Sequence, residues 1–100
     1  DSAPAPIDCL PAIRDAIGSD LEVIVDGGIR RGSHILKALA LGASACSIGR
    51  PYLYGLAAGG EAGVAKTIEI LASETRRSML LAGYDSVASL RAGSPVRRHA

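Results

Sequence analysis

Val23-Ile24-Val25-Asp26-Gly27-Gly28-Ile29-Arg30-Arg31-Gly32 is the stretch that decides the fold, and Ile48-Gly49-Arg50-Pro51 repeats its pattern downstream. Each is an apolar run that stops at glycine and arginine and leads into helix-type sequence. A parallel β-strand meets a phosphate-binding loop in this way. Glycine admits positive φ and lets the backbone come close to a ligand. Loop N–H groups and the N-terminus of the following helix favour an anion. Arginine adds a permanently charged planar fork that matches phosphate oxygens. Two such loops on neighbouring strands would grip one phosphate from two sides, which makes Gly27, Gly28, Ile29, Arg30, Gly49 and Arg50 candidate binding residues. Asp26, at the C-terminal end of its strand, is either a cap for the loop N–H groups or a further member of the site. Arg31 points away from its neighbour and is expected at the surface or in an ion pair.

Outward from these loops the chain reads α, β, α, β, short α, long α, tail. Residues 2–6 are proline-rich and not helical. Residues 7–17 place Leu10, Ile13 and Ile17 on one face and stop at Gly18, the pattern of an amphipathic helix that tolerates Pro11 in its first turns. Leu21–Val25 and Ala45–Ile48 are strand-length apolar runs, expected to be adjacent and parallel. Ser33 is expected to N-cap a helix over His34–Leu41 that Gly42 closes. Leu53–Ala58 forms a short helix ended by Gly59 and Gly60. Glu61–Ala82 forms the longest helix, with Val64, Ile68, Leu71, Met79 and Ala82 as its apolar positions, and Ser86–Leu90 adds a turn. Residues 91–100 lack periodicity and are expected as a flexible basic tail, leaving 1–90 as the folded part. Strands apolar on both faces need further strands and covering helices. At about 30 residues per βα unit, this chain of 100 holds two such units and a leading helix.

Asp26 to Gly32, Lys37-Ala38-Leu39-Ala40-Leu41-Gly42-Ala43, Gly49 to Ala58, and Gly60-Glu61-Ala62-Gly63-Val64 together resemble the C-terminal part of the FMN-dependent α-hydroxy acid dehydrogenase/oxidase family. That family includes glycolate oxidase, flavocytochrome-type L-lactate dehydrogenase and mandelate dehydrogenase. The resemblance runs from the first residue to about Leu90 and implies an α/β fold class: the C-terminal fragment, its last two βα units plus a preceding helix, of a (β/α)8 TIM barrel. It implies FMN as cofactor, its phosphate held by Gly27, Gly28, Ile29, Arg30, Gly49 and Arg50, with Asp26 beside the ribityl chain.

In the family, the catalytic histidine and a substrate-binding arginine lie in a Ser-Asn-His-Gly-Gly-Arg-Gln-Leu-Asp type motif. Asp1 resembles its last residue, so the chain is expected to begin just past the chemistry and to hold no catalytic residue. His34 sits inside the helix after the phosphate loop and is expected to be solvated or packed on that helix; His99 belongs to the tail. The reaction implied is oxidation of a small-molecule 2-hydroxy acid, such as L-lactate, glycolate or mandelate, to the 2-oxo acid. The implied partners are the N-terminal remainder of the barrel and further copies in a homo-oligomer. Three alternatives share parts of the pattern. One is an FMN or phosphate-site barrel of another class, such as type 2 isopentenyl diphosphate isomerase or an inosine-monophosphate-dehydrogenase-like enzyme. The others are the peptide-modifying pre-mycofactocin synthase and a non-catalytic FMN- or phosphate-binding fragment.

Composition narrows the remaining classes. Apolar residues make up 48% and the net charge is +1, so no field draws the chain to nucleic acid. No apolar run reaches the roughly 20 residues of a membrane span, and residues 1–6 lack the basic and apolar regions of a signal peptide. A cytoplasmic location is expected, with membrane association through other regions left open. Cys9 and Cys46 are expected as small buried apolar residues without a disulfide. No His, Cys or carboxylate cluster has metal-ligand spacing, so no metal site is expected.

Overall fold

Pro6 has no N–H to lose and opens α1 (Pro6–Ile17) in the computed structural model, which describes residues 3–93. Gly18, at φ 67°, ends it. β1 (Ile24–Asp26), α2 (Gly32–Ala40), β2 (Ala45–Ser47), α3 (Arg50–Ala82) and α4 (Val87–Gly93) follow. The strands are parallel neighbours, with Ile24 opposite Ala45, Val25 opposite Cys46 and Asp26 opposite Ser47. α2 is the crossover between them, as the alternation of apolar runs predicts.

Alternation along the strands divides their side chains between two faces. Val25 and Cys46 point to the helices, where Val25 joins Leu10, Ile29, Ala38 and Ala43 in the core. Ile24, Asp26, Ala45 and Ser47 occupy the opposite, open face, and Ile24 is 63% exposed there. A closed barrel turns this face inward and fills it with side chains from the other strands. That accounts for a run that is apolar on both sides.

Several boundaries differ from the sequence expectation. Pro6, expected outside the helix, is its first residue, β2 stops at Ser47 rather than Ile48, and α3 starts at Arg50 rather than Leu53. Leu21, Glu22 and Val23 precede β1, and Asp26 belongs to it. Apolarity marked the run, but pairing defines the strand. Leu21 O accepts from a guanidinium N–H of Arg14 in α1 (2.8 Å), and Val23 exchanges bonds with Ser44, donating its N–H to Oγ (3.0 Å) and accepting the Ser44 N–H at its carbonyl (2.8 Å), just before the paired residues begin. Arg14 also donates to the carbonyls of Gly18 and Gly42, tying α1 to the turn before β2. α4 runs to Gly93, so Arg91, Ala92 and Gly93 are helical, although the lack of periodicity predicts a tail. Two anchors explain this: Leu90 is fully buried, and the Arg91 guanidinium donates to the carbonyls of Leu39 and Ala43 at the end of α2. The rest of the expected tail, residues 94–100, lies outside the described residues, as does Asp1.

Gly59 and Gly60 interrupt α3 as expected, with φ, ψ of −151°, 17° and 59°, −141°. The chain doubles back there. In a straight helix Gly55 and Gly63 would be about 12 Å apart along the axis, yet a methyl added to Gly63 would overlap the carbonyl oxygen of Gly55. Glycine at both positions lets the two halves touch backbone to backbone. The second half then packs against α2, burying Leu71. Among the described residues no helix is long and apolar enough to cross a membrane.

Candidate functional site

β1 and β2 end side by side, so the site begins at the paired residues Asp26 and Ser47. Gly27 (φ 96°) and Gly28 (φ 78°) then turn the chain with two successive left-handed residues, a conformation strained for any residue with a Cβ. Ile29, 4% exposed, plugs into the core and pins the loop. Arg30 emerges beyond it, exposed. On the neighbouring strand Gly49 leads directly into α3, whose first turn carries Arg50 and Pro51. The residues singled out from the sequence, Asp26 to Arg30 with Gly49 and Arg50, line one cleft of about 310 Å³. Ser47 and Pro51 line it too. Only the register could reveal Ser47, and nothing in its local sequence marks it. An adjoining hollow is bounded by Arg30, Arg50, Pro51 and Tyr54.

The two consecutive arginines have separate tasks. Arg31 pairs with Glu74 of α3, its guanidinium 3.1 Å from Oε2, as the expected ion-pair partner. Among the described residues neither Arg30 nor Arg50 makes an ion pair, and both line the cleft.

Ser33 does not cap α2. The helix starts at Gly32 rather than His34, and the Gly32 N–H donates to Glu74 Oε1 (2.8 Å). A carboxylate supplies full negative charge to the helix N-terminus, which a hydroxyl cannot match. Gly32 permits the approach, because a Cβ there would overlap the backbone of Thr75. This changes the electrostatic account of the site. The positive end of α2, expected to face a ligand, is occupied by Glu74. The first turn of α3 has no side-chain cap and opens on the cleft instead.

His34 is half-buried, and it does more than pack on its helix. Its Nδ1 accepts the backbone N–H groups of Arg30 (3.1 Å) and Arg31 (3.3 Å). Those donors are therefore used within the loop, and Gly28 and Ile29 retain N–H groups with no acceptor among the described residues. Cys46, behind β2, has its thiol pushed up by burial and acts as apolar filler. No converging group of His, Cys, Asp and Glu able to hold a metal occurs among the described residues.

The Gly32 N–H and then the Arg31 guanidinium hold the Glu74 carboxyl below the usual carboxylate range. A carboxylate depressed in the folded state stabilises above its unfolded pKa, and that contribution is lost as pH falls through the folded value. Glu74→Gln is therefore expected to lower the melting temperature at neutral pH, with the gap from wild type closing in acid. Thermal melts across that range check it, and a gap independent of pH would show that the carboxylate charge is idle.

Comparison with known proteins places this geometry. The model of a family described as FMN-dependent dehydrogenase matches residues 1–96. The chain is 50% identical over 90 residues to pre-mycofactocin synthase of Mycobacterium tuberculosis (strain CDC 1551 / Oshkosh), covering 90% of this chain and 23% of that protein. It is 51% identical over 87 residues to 2-hydroxyacid oxidase 1 of Homo sapiens, covering 87% of this chain and 24% of the relative. A solved mandelate oxidase variant with a monooxide FMN adduct superposes with a TM-score of 0.86 at 49% identity, over 91% of this chain and 29% of that one. The chain thus spans about a quarter of the length of the curated relatives it matches.

Proposed function

This chain belongs to the FMN-dependent dehydrogenase family, and from that premise we propose that it supplies the FMN-phosphate site of an enzyme oxidising a 2-hydroxy acid to the 2-oxo acid. The observation that carries the reading is the convergence of Arg30 and Arg50, from loops after adjacent parallel strands, on one cleft. The residues present fit a phosphate monoester. Two guanidinium groups oppose its charge, and the N–H groups of Gly28 and Ile29 and the open first turn of α3 add directed donors. Gly27, Gly28 and Gly49 keep Cβ atoms out of the approach. Asp26 and Ser47, on the open face at the strand ends, offer an acceptor and a hydroxyl to the ribityl chain. FMN, when bound, supplies a two-electron acceptor for the substrate's α-carbon. This chain's residues anchor the cofactor; the proton acceptor and the arginine for the substrate carboxylate belong to the upstream part of the barrel.

On this reading the working enzyme is a cytoplasmic homo-oligomer built on the complete barrel; the free Cys9 and Cys46 fit a reducing compartment. A second reading is a peptide-modifying oxidase of the pre-mycofactocin synthase kind, and the likeness to that protein favours it. Anaerobic mixing of the full-length flavoprotein with L-lactate, glycolate or mandelate is expected to bleach the flavin absorption. Bleaching by a peptide substrate and by none of the hydroxy acids would replace the first reading with the second. The 100-residue chain alone is expected to turn over none of these acids, and supplying the upstream part of the barrel is expected to restore turnover. Oxidation by the isolated chain would overturn the assignment of the base to the upstream part.

A further inference from the structure

His34 is the one histidine among the described residues, and it sits against the loop that carries Arg30. One nitrogen, Nδ1, accepts two backbone N–H groups, those of Arg30 and Arg31. An imidazole can accept at Nδ1 only when that nitrogen is unprotonated, so the side chain is the neutral tautomer with its proton on Nε2. The position is the third of α2, from which a side chain reaches back to the N-cap backbone. Glu74 holds the next donor, Gly32 N–H, from the other side. Together the two acceptors satisfy three consecutive N–H groups of the turn into the helix. With Ile29 plugged into the core on one side and these bonds on the other, the backbone at Arg30 is held at both ends.

We propose that His34 is the positioning residue of the phosphate-binding loop, its neutral imidazole fixing the Arg30 backbone so that the guanidinium meets the FMN phosphate, and that protonation of His34 loosens the grip on FMN. The proposal rests on the phosphate-site reading above. An imidazolium donates at both nitrogens and offers no acceptor, so a proton on His34 turns two loop N–H groups from partnered to opposed. The charged residues next to it along the chain are Arg30 and Arg31 on the loop and Lys37 one turn further along α2; on the packed helix α3, Glu74 and Arg77 line a hollow with Arg31 and with Ser33, the residue before His34. Glu74 is committed to Arg31 and Gly32.

The test uses the full-length flavoprotein. Apoprotein is titrated with FMN and, separately, with riboflavin, which lacks the phosphate, from mildly alkaline to mildly acidic pH. Variants are His34→Leu, which removes the acceptor, and His34→Gln, which keeps an acceptor at the helix's third position but does not titrate. His34→Leu is expected to bind FMN about tenfold more weakly, the scale of losing one to two hydrogen bonds, with riboflavin binding unchanged. His34→Gln is expected to match wild type at alkaline pH and to show a smaller acid loss of FMN; the phosphate's own titration is common to both. Equal weakening of FMN and riboflavin by His34→Leu, or an unchanged pH slope in His34→Gln, would overturn the proposal. Should His34→Leu fail to fold, the slope in His34→Gln decides alone. Failure of the phosphate-site reading shows separately, as normal FMN binding by an Arg50→Ala protein.

Discussion

Arg50→Ala in the complete flavoenzyme is expected to weaken FMN binding about ten- to a hundredfold, the affinity equivalent of charge-assisted bonds worth about 1.5–3 kcal/mol each. Arg50 stands in the first turn of α3, lines the cleft and has no ion-pair partner among the described residues. Its removal therefore takes away a ligand contact without leaving a buried acid unpaired. Flavin reduction in FMN-saturated enzyme is expected to change far less, because the phosphate lies at the far end of the cofactor from the chemistry. Arg50→Lys keeps the charge but loses the fork, so it is expected to recover part of the affinity. Arg31→Ala, by contrast, breaks the pair with Glu74 and is expected to act on stability first. Titration of the apoprotein and stopped-flow reduction separate the two quantities. Unchanged FMN affinity in Arg50→Ala would remove the phosphate from this cleft.

Gly63→Val is expected to be among the most damaging substitutions outside the cleft. Even one methyl at Gly63 would overlap the Gly55 carbonyl oxygen, and the overlap is with backbone, which cannot rotate away. Overpacking costs about 1–3 kcal/mol where side chains can adjust; here the two halves of α3 must separate, so a loss at or above the top of that range is expected. The consequence reaches the site, since the first half of α3 carries Arg50 and the second half carries Glu74, which holds the loop of Arg30. Weaker FMN binding should accompany the lower melting temperature. Gly59→Ala, where an added methyl meets open space, serves as the comparison and is expected to cost less. Equal stability of the two variants would mean that the close crossing at Gly55 and Gly63 is not what holds the hairpin.

These two predictions draw on different kinds of information. The place of Arg50 at the cleft was legible in the chain, because an apolar run ending in Gly49-Arg50 states its own local geometry. Gly27 and Gly28 likewise signalled the left-handed turn at which both are found. The break at Gly59-Gly60 was readable for the same reason: successive glycines stop a helix whatever surrounds it. The contact between Gly55 and Gly63 was not, since helix pattern says nothing about which faces will cross.

The sequence by itself determined the element order, the parallel βα units, the glycine turns and the residues that gather at the cleft, all of them properties of short segments and their periodicity. Tertiary structure decided the rest. It chose Glu74 over Ser33 as the cap of α2, a partner 42 residues from Gly32, because a carboxylate on a packed neighbour outcompetes a local hydroxyl for a helix N-terminus. It brought Ser47 into the site through strand register and kept Arg91 in a helix through carbonyls on α2. It also made His34, expected to be solvated or packed on its helix, the acceptor of two loop N–H groups. Each of these depends on which groups packing brings within hydrogen-bonding reach, and no pattern along the chain encodes that distance.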